Sequence, residues 1–138
     1  MPGAIQIRGE VLTALLEQAR LEPLKECCGL LAGRGGVMTR TFPATNAADD
    51  AGNSYEIAPE EIFRLMRTIR AAALELLGIY HSHPAGENRP SARDVARAYY
   101  SAAAYFIVSP RTDAPQPVRA FSICEGKVTE LEIHVMEG

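Results

Sequence analysis

Apolar residues along this chain recur with two different periods, and the way those periods alternate restricts it to a mixed α/β fold. Val11, Leu12, Leu15, Leu16 and Ala19 stand at helical spacing, closed by Pro23. Ile62, Leu65, Met66, Ile69, Ala73, Leu76 and Leu77 form a second helical stripe behind Pro59, with Glu60 and Glu61 in the first turn. Between and after these lie short β-like runs. Ile5–Arg8 is expected as a short edge strand, and Cys27–Ala32 turns through Gly33-Arg34-Gly35-Gly36 into Val37–Phe42. Tyr55–Ile57 is expected as a short strand, and Leu76–Tyr80 as a buried one. Asp94–Ala102 is expected to be helical, Tyr105–Ser109 a strand, and Val118–Cys124 with Lys127–Val135 a hairpin around Glu125-Gly126. Strands outnumber helices and helices punctuate them, so a mixed sheet flanked by helices is the economical arrangement. At 138 residues, with no linker or repeat, residues 1–138 are expected to form a single domain.

Charge and cysteine content narrow the function. The net charge is −3 with both signs interspersed and no basic run, so no nucleic-acid partner is expected. Charged residues interrupt every apolar stretch, and the opening residues lack a basic and apolar leader, so a cytoplasmic protein with no membrane span is expected. Cys27 and Cys28 are adjacent, which on a strand sends them to opposite faces. With Cys124 they are expected to be buried or structural thiols rather than disulfides or ligands.

The chemistry is concentrated in residues 81–94, His-Ser-His-Pro-Ala-Gly-Glu-Asn-Arg-Pro-Ser-Ala-Arg-Asp. Side chains two apart on a strand share a side, so His81 and His83 project together from the end of the Leu76–Tyr80 run. Asp94 returns a carboxylate from beyond a loop rich in Pro and Gly. Two imidazoles and one carboxylate are the donors of an open catalytic zinc site, with a fourth position left for water. A purely structural alternative exists: Ser91 as helix N-cap with Asp94 three residues on. That accounts for Ser91 and Asp94 but leaves two histidines at a strand end without a purpose.

The spacing His81-Ser82-His83-Pro84, six residues, then Ser91-x-x-Asp94 closely resembles the signature of the JAMM (MPN+) metallopeptidases. Glu26-Cys27-Cys28-Gly29-Leu30-Leu31 matches the upstream glutamate of that family, and Tyr55–Glu60 and Tyr105–Ser109 extend the likeness over nearly the whole chain. It is most similar to short bacterial members associated with ubiquitin-like sulfur-carrier proteins. The resemblance implies a three-layer α-β-α sandwich related to cytidine deaminases, although the deaminase motifs themselves are absent. It implies one Zn2+ on His81, His83 and Asp94, with Glu26 as general base and proton donor to the leaving amine. By its surroundings alone, Glu26 is an ordinary charge beside Lys25. Ser91 is expected to donate its hydroxyl to the tetrahedral oxyanion. Ser82 is expected to face away from the metal, Glu87 to be solvated and His134 to lie at the surface.

The implied substrate is the C-terminal Gly-Gly tail of a small ubiquitin-like β-grasp protein, cleaved at a peptide or isopeptide bond. The tail is expected to add as a strand beside the sheet, in a groove framed by the loops Ala44–Ser54 and Pro110–Pro117. Two alternatives belong to the same resemblance: a non-catalytic scaffold that has lost its ligands, and a RadC-like protein with another substrate. Retention of all five motif positions argues against the first.

Overall fold

A computed structural model describes residues 4–137. The first three residues, which begin the stretch read for a leader, and residue 138 lie outside the described residues. In chain order the elements are β1 (Ala4–Arg8), α1 (Gly9–Leu21), β2 (Cys28–Arg34), β3 (Val37–Ala44), α2 (Pro59–Ala71), β4 (Glu75–Ser82), α3 (Ala92–Ala96), β5 (Ala104–Val108), β6 (Val118–Cys124) and β7 (Lys127–Met136).

The strands run β1-β3-β2-β4-β5-β6-β7 in one mixed sheet, and β7 pairs back onto β1 to close it. The β4–β5, β1–β3 and β1–β7 pairs are parallel and the others antiparallel. Helices cover both faces. On one side α1 buries Val11, Leu15 and Ala19 against Ile5, Ile7, Leu31, Tyr80 and Phe106. On the other, α2 sets Leu65 and Ile69 against Leu30, Phe42, Ile79, Tyr105 and Ile107. Strand alternation produces both cores at once: Tyr80 and Phe106 point to α1 while Ile79, Tyr105 and Ile107 point to α2. The expected α-β-α layering is present, with a sheet that curls until its ends meet.

Tertiary context moves several elements from their expected places. Ile5–Arg8 is not an edge: β1 lies between β3 and β7, because Ile5 and Ile7 face the α1 core and closure supplies a partner on each side. Among the described residues, no strand is therefore open along its full length. A tail adding as a strand finds free backbone only along parts of strands, among them β3 beyond Met38, where pairing with β1 stops.

The second helix ends at Ala71, before Gly78 as expected but short of the last three residues of the apolar stripe, Ala73, Leu76 and Leu77. Ala73 turns with φ 57°, and Arg34 caps the helix by donating to the carbonyls of Ala72 and Ala73 at 3.0 and 2.9 Å. Leu76 and Leu77 are thereby released to β4, where a bulge opposite Leu31/Ala32 sends Leu77 to the α1 core and Leu76 to the α2 core.

Tyr55–Ile57 is not a strand, since its backbone groups are claimed within the loop. Glu56 N–H donates to Asn46 Oδ1 at 3.1 Å, and Ala47 N–H to the Glu56 carbonyl at 2.7 Å. α3 stops at Ala96 instead of reaching Ala102, because the Tyr105 hydroxyl, not a helical carbonyl, takes the Tyr100 N–H at 3.0 Å. β5 lies one residue earlier than expected, at Ala104–Val108. The β6–β7 hairpin turns at Glu125 and Gly126, both with positive φ, as the sequence predicts. No described helix is long and apolar enough to cross a membrane.

Candidate metal centre

β4 ends in the site. Its parallel pairing with β5 and antiparallel pairing with β2 bring His81 level with Ile107 and Cys28, in the middle of the sheet. His81 has a side chain 1% exposed, whereas His83 and Asp94 are each 11% exposed. Their ligand atoms converge. Nε2 of His81 and Nε2 of His83 are 3.1 Å apart, and Asp94 Oδ2 lies 3.2 and 3.1 Å from them. Four bonds of ~2.0–2.1 Å arranged tetrahedrally about zinc put neighbouring donors about 3.3 Å apart, so this triangle matches one face of such a tetrahedron.

The donors are held from behind. His83 Nδ1 meets the Glu87 carbonyl at 2.8 Å, which leaves Nε2 turned to the cluster. Asp94 is aimed by a capping box: its N–H donates to Ser91 Oγ at 3.1 Å, and Ser91 N–H donates to Asp94 Oδ2 at 2.9 Å. The helix cap and the ligand geometry are thus one construction, not alternatives. Ser91 keeps its hydroxyl proton free while Oγ accepts from Asp94.

Glu26 arrives from the start of β2. Its N–H donates to the Ala51 carbonyl at 2.7 Å, and the next residue is clamped by Ser82, whose Oγ accepts the Cys27 N–H at 2.8 Å. Ser82 faces away from the cluster, as expected, and serves as this clamp. Glu26 is buried, with Oε1 lacking any hydrogen-bond partner. Its ligand oxygen and the two imidazoles lie within 4.8 Å of one another. Between the two carboxylates, Asp94 is the better third donor, because its oxygen already bridges both rings. Glu26 keeps its unpartnered oxygen beside the two rings.

The electrostatics of the metal-free cluster divide the same way. Burial pushes the Glu26 carboxyl from 4.5 up to about 7, with His83 opposing and Asp94 adding to the rise. Burial also works against ionised Asp94, but hydrogen bonds from His81 and His83 overcome it and hold the carboxyl well below the usual carboxylate range. Burial lowers His81 and keeps it a neutral donor. For His83, burial is outweighed by Asp94 and the Glu87 carbonyl, and its pKa is raised.

The Glu87 side chain is solvated and pairs with Arg89 at 3.0 Å; only its carbonyl serves the site. His134 is exposed and pairs with Glu132 at 2.8 Å. Cys27 and Cys28 are buried, while Cys124 is exposed, against the expectation of a buried thiol, because it closes β6 at the hairpin turn.

Three supports were given no role in the site by the sequence, although Tyr55 opens one of the stretches that carry the family likeness. Tyr55 stacks on His81 with ring centroids 4.4 Å apart. Asn46 Nδ2 donates to the carbonyls of Glu26 and Ser54, both at 2.9 Å, and so ties the loop to the start of β2. Asn88 Nδ2 donates to the Gln116 carbonyl at 2.7 Å. That bond ties the 110–117 loop to the motif loop, and no residue of 110–117 lines the cavity beside Asp94. The cavity beside Asp94, about 360 Å³, is instead walled by Ser54–Ile57, α2 and the tyrosines after α3.

Residues 9–124 match the family of prokaryotic homologs of the JAB domain. The desampylase of Haloferax volcanii is 37% identical over 109 residues, spanning 78% of each chain. The CysO-cysteine peptidase of Mycobacterium tuberculosis is 35% identical over 133 residues, 95% of this chain and 90% of that one. The solution structure of protein DSY2949 from Desulfitobacterium hafniense superimposes with a TM-score of 0.83 at 31% identity, over 97% of this chain and 94% of that one. A matched family model, relatives of this identity and a histidine–carboxylate cluster at the end of β4 lead to one conclusion: the chain belongs to the prokaryotic homologs of the JAB domain, as a JAMM/MPN+ hydrolase.

Proposed function

We propose that this protein is a zinc-dependent peptidase that cuts directly after the C-terminal Gly-Gly of a small ubiquitin-like carrier, with one zinc held by His81, His83 and Asp94. The observation that carries this reading is the meeting of one Asp94 oxygen with two imidazole nitrogens at 3.1–3.2 Å, beside the orphaned, buried carboxyl of Glu26. A bound zinc would supply Lewis acidity to a water molecule and to the scissile carbonyl. Glu26, buried beside the two imidazoles, takes the water proton and returns it to the leaving amine. Ser91, with its hydroxyl proton unengaged, donates to the oxyanion. The desampylase and CysO-cysteine peptidase relatives support a carrier-type substrate. Glycines at the scissile end suit a site on a strand terminus, since they let the substrate backbone approach closely.

The test pairs metal analysis with a cleavage assay. Protein purified without added metal should contain about one zinc per chain by elemental analysis. A β-grasp carrier extended beyond Gly-Gly should be trimmed to Gly-Gly by mass spectrometry, and one with Val at the penultimate position should not. Equal trimming of both, or of neither by zinc-loaded protein, refutes the carrier reading. A scaffold would bind such a carrier and leave it intact.

A further inference from the structure

The cavity next to the cluster has Asp94 in its wall, so it adjoins the proposed metal site on that side. Its walls include Tyr55, Ile57, Met66 and Tyr105, and two cationic side chains reach it, Arg93 and Arg97. Among the described residues neither arginine forms an ion pair, although eight other pairings are present in the fold. Glu56, the other acidic residue on the wall besides Asp94, is exposed, as are Arg93 and Arg97 themselves. Arg93 is near enough to Glu26 for its charge to act on that carboxyl. At about 360 Å³ the cavity sits at the lower end of the ~300–1,000 Å³ typical of small-molecule sites. That is room for a single residue, not for a folded chain.

We propose that this cavity receives the leaving amino acid and that Arg93, assisted by Arg97, binds its free α-carboxylate. The enzyme is then selective for carriers extended by one C-terminal residue over isopeptide conjugates. This inference rests on the carrier-peptidase reading above. In the hydrolysis, water's hydroxyl goes to the glycyl carbonyl carbon, the C–N bond breaks, and the water proton passes through Glu26 to the nitrogen. In an α-amino acid the carboxylate oxygens lie only about 3 Å from that nitrogen, given ordinary bond lengths. A cation close to Glu26, on the wall beyond it, is therefore where the carboxylate arrives. A lysine side chain leaving from an isopeptide brings no carboxylate to that position. The guanidinium fork suits a planar carboxylate better than an ammonium does.

Three substrates separate the possibilities: a carrier ending Gly-Gly-Leu as the free acid, the same chain as its C-terminal carboxamide, and Gly-Gly joined to the ε-amine of a lysine peptide. Losing a charge-assisted hydrogen bond of ~1.5–3 kcal/mol corresponds to about 10- to 100-fold. Zinc-loaded wild type should accordingly prefer the acid to the amide by at least about tenfold in kcat/KM, chiefly through KM. The acid preference should collapse in Arg93→Gln/Arg97→Gln and return in part in Arg93→Lys, with zinc content measured for each variant. Acid and amide cut within about twofold by wild type would overturn the inference while leaving the peptidase reading intact. So would an equal loss on both substrates in the double variant. Cleavage of none of the three by zinc-loaded wild type overturns the carrier reading and this inference with it.

Discussion

Glu26→Gln should make the metal-free protein more stable at alkaline pH while abolishing its activity. Glu26 as a residue is 5% exposed, one of its carboxyl oxygens has no partner, and burial lifts its pKa from 4.5 to about 7. A folded-state pKa above the unfolded value means that folding favours the protonated acid. The stability from this preference is complete below about pH 4.5 and is lost as pH rises through about 7. At 1.36 kcal/mol per pKa unit the full loss is about 3.4 kcal/mol, and partial solvent access to the carboxyl reduces it to about 1.5–3 kcal/mol. Glutamine keeps the shape and cannot ionise, so it escapes that loss.

His83, Asp94, Arg93 and Asp50 also face Glu26, but they are common to both proteins and largely cancel in the difference. The assay is urea unfolding of chelator-treated wild type and variant between pH 5 and 8.5. The variant's advantage should grow by about 1–2 kcal/mol across that range. It should shrink when zinc is restored, because a nearby cation favours the carboxylate. Parallel pH profiles in the metal-free pair would refute the assignment of Glu26 as a buried, proton-hungry group, whatever happens to activity. For zinc-loaded protein, Glu26→Gln should retain metal and lose turnover by roughly 10²–10⁴-fold, the usual range for removing a general base.

His81→Ala should no longer hold stoichiometric zinc, read by elemental analysis, and retention of a full equivalent at the same site would exclude His81 as a ligand. Ser91→Ala should lower kcat more than it raises KM, and it should also cost about 1 kcal/mol of stability through the lost cap, measured separately by denaturation. Asn46→Ala frees the loop carrying Tyr55 and the backbone of Glu26, so kcat should fall with zinc content unchanged, and unfolding should ease by about 1–3 kcal/mol. A thiol reagent at pH 8 should label Cys124 promptly. Cys27, raised by burial, and Cys28, pushed up to about 12 by the same cause, should react only on unfolding.

Much of the site was legible because its donors sit at short, fixed separations. His81 and His83 share a strand face, and Ser91 with Asp94 is a local capping box; neither needs knowledge of the rest of the fold. Glu26 lies 55 residues before His81, and nothing in its own surroundings marks it out; only the likeness to a known family pointed to it before the pairing of β2 with β4 brought the two together. Element type was clearer than element extent. The stripe through Leu76 and Leu77 fits a helix and a strand equally well, and the choice fell to Ala73's left-handed turn, Arg34's hold on the helix end and the ladder to β2.

What the sequence determined by itself was therefore whatever depends on local period and spacing: two amphipathic helices, the β6–β7 turn, the paired imidazoles and the capped carboxylate. Tertiary structure decided what depends on partners far along the chain. Closure of the sheet placed β1 between two strands and left no full-length edge. Loop hydrogen bonds from Asn46 took residues 55–57 out of any strand, and one from Asn88 tied residues 110–117 to the motif loop. The raised pKa of Glu26 and the arginine-lined cavity belong to this second class. Burial and charge proximity are properties of the packed assembly, and no residue carries them in isolation.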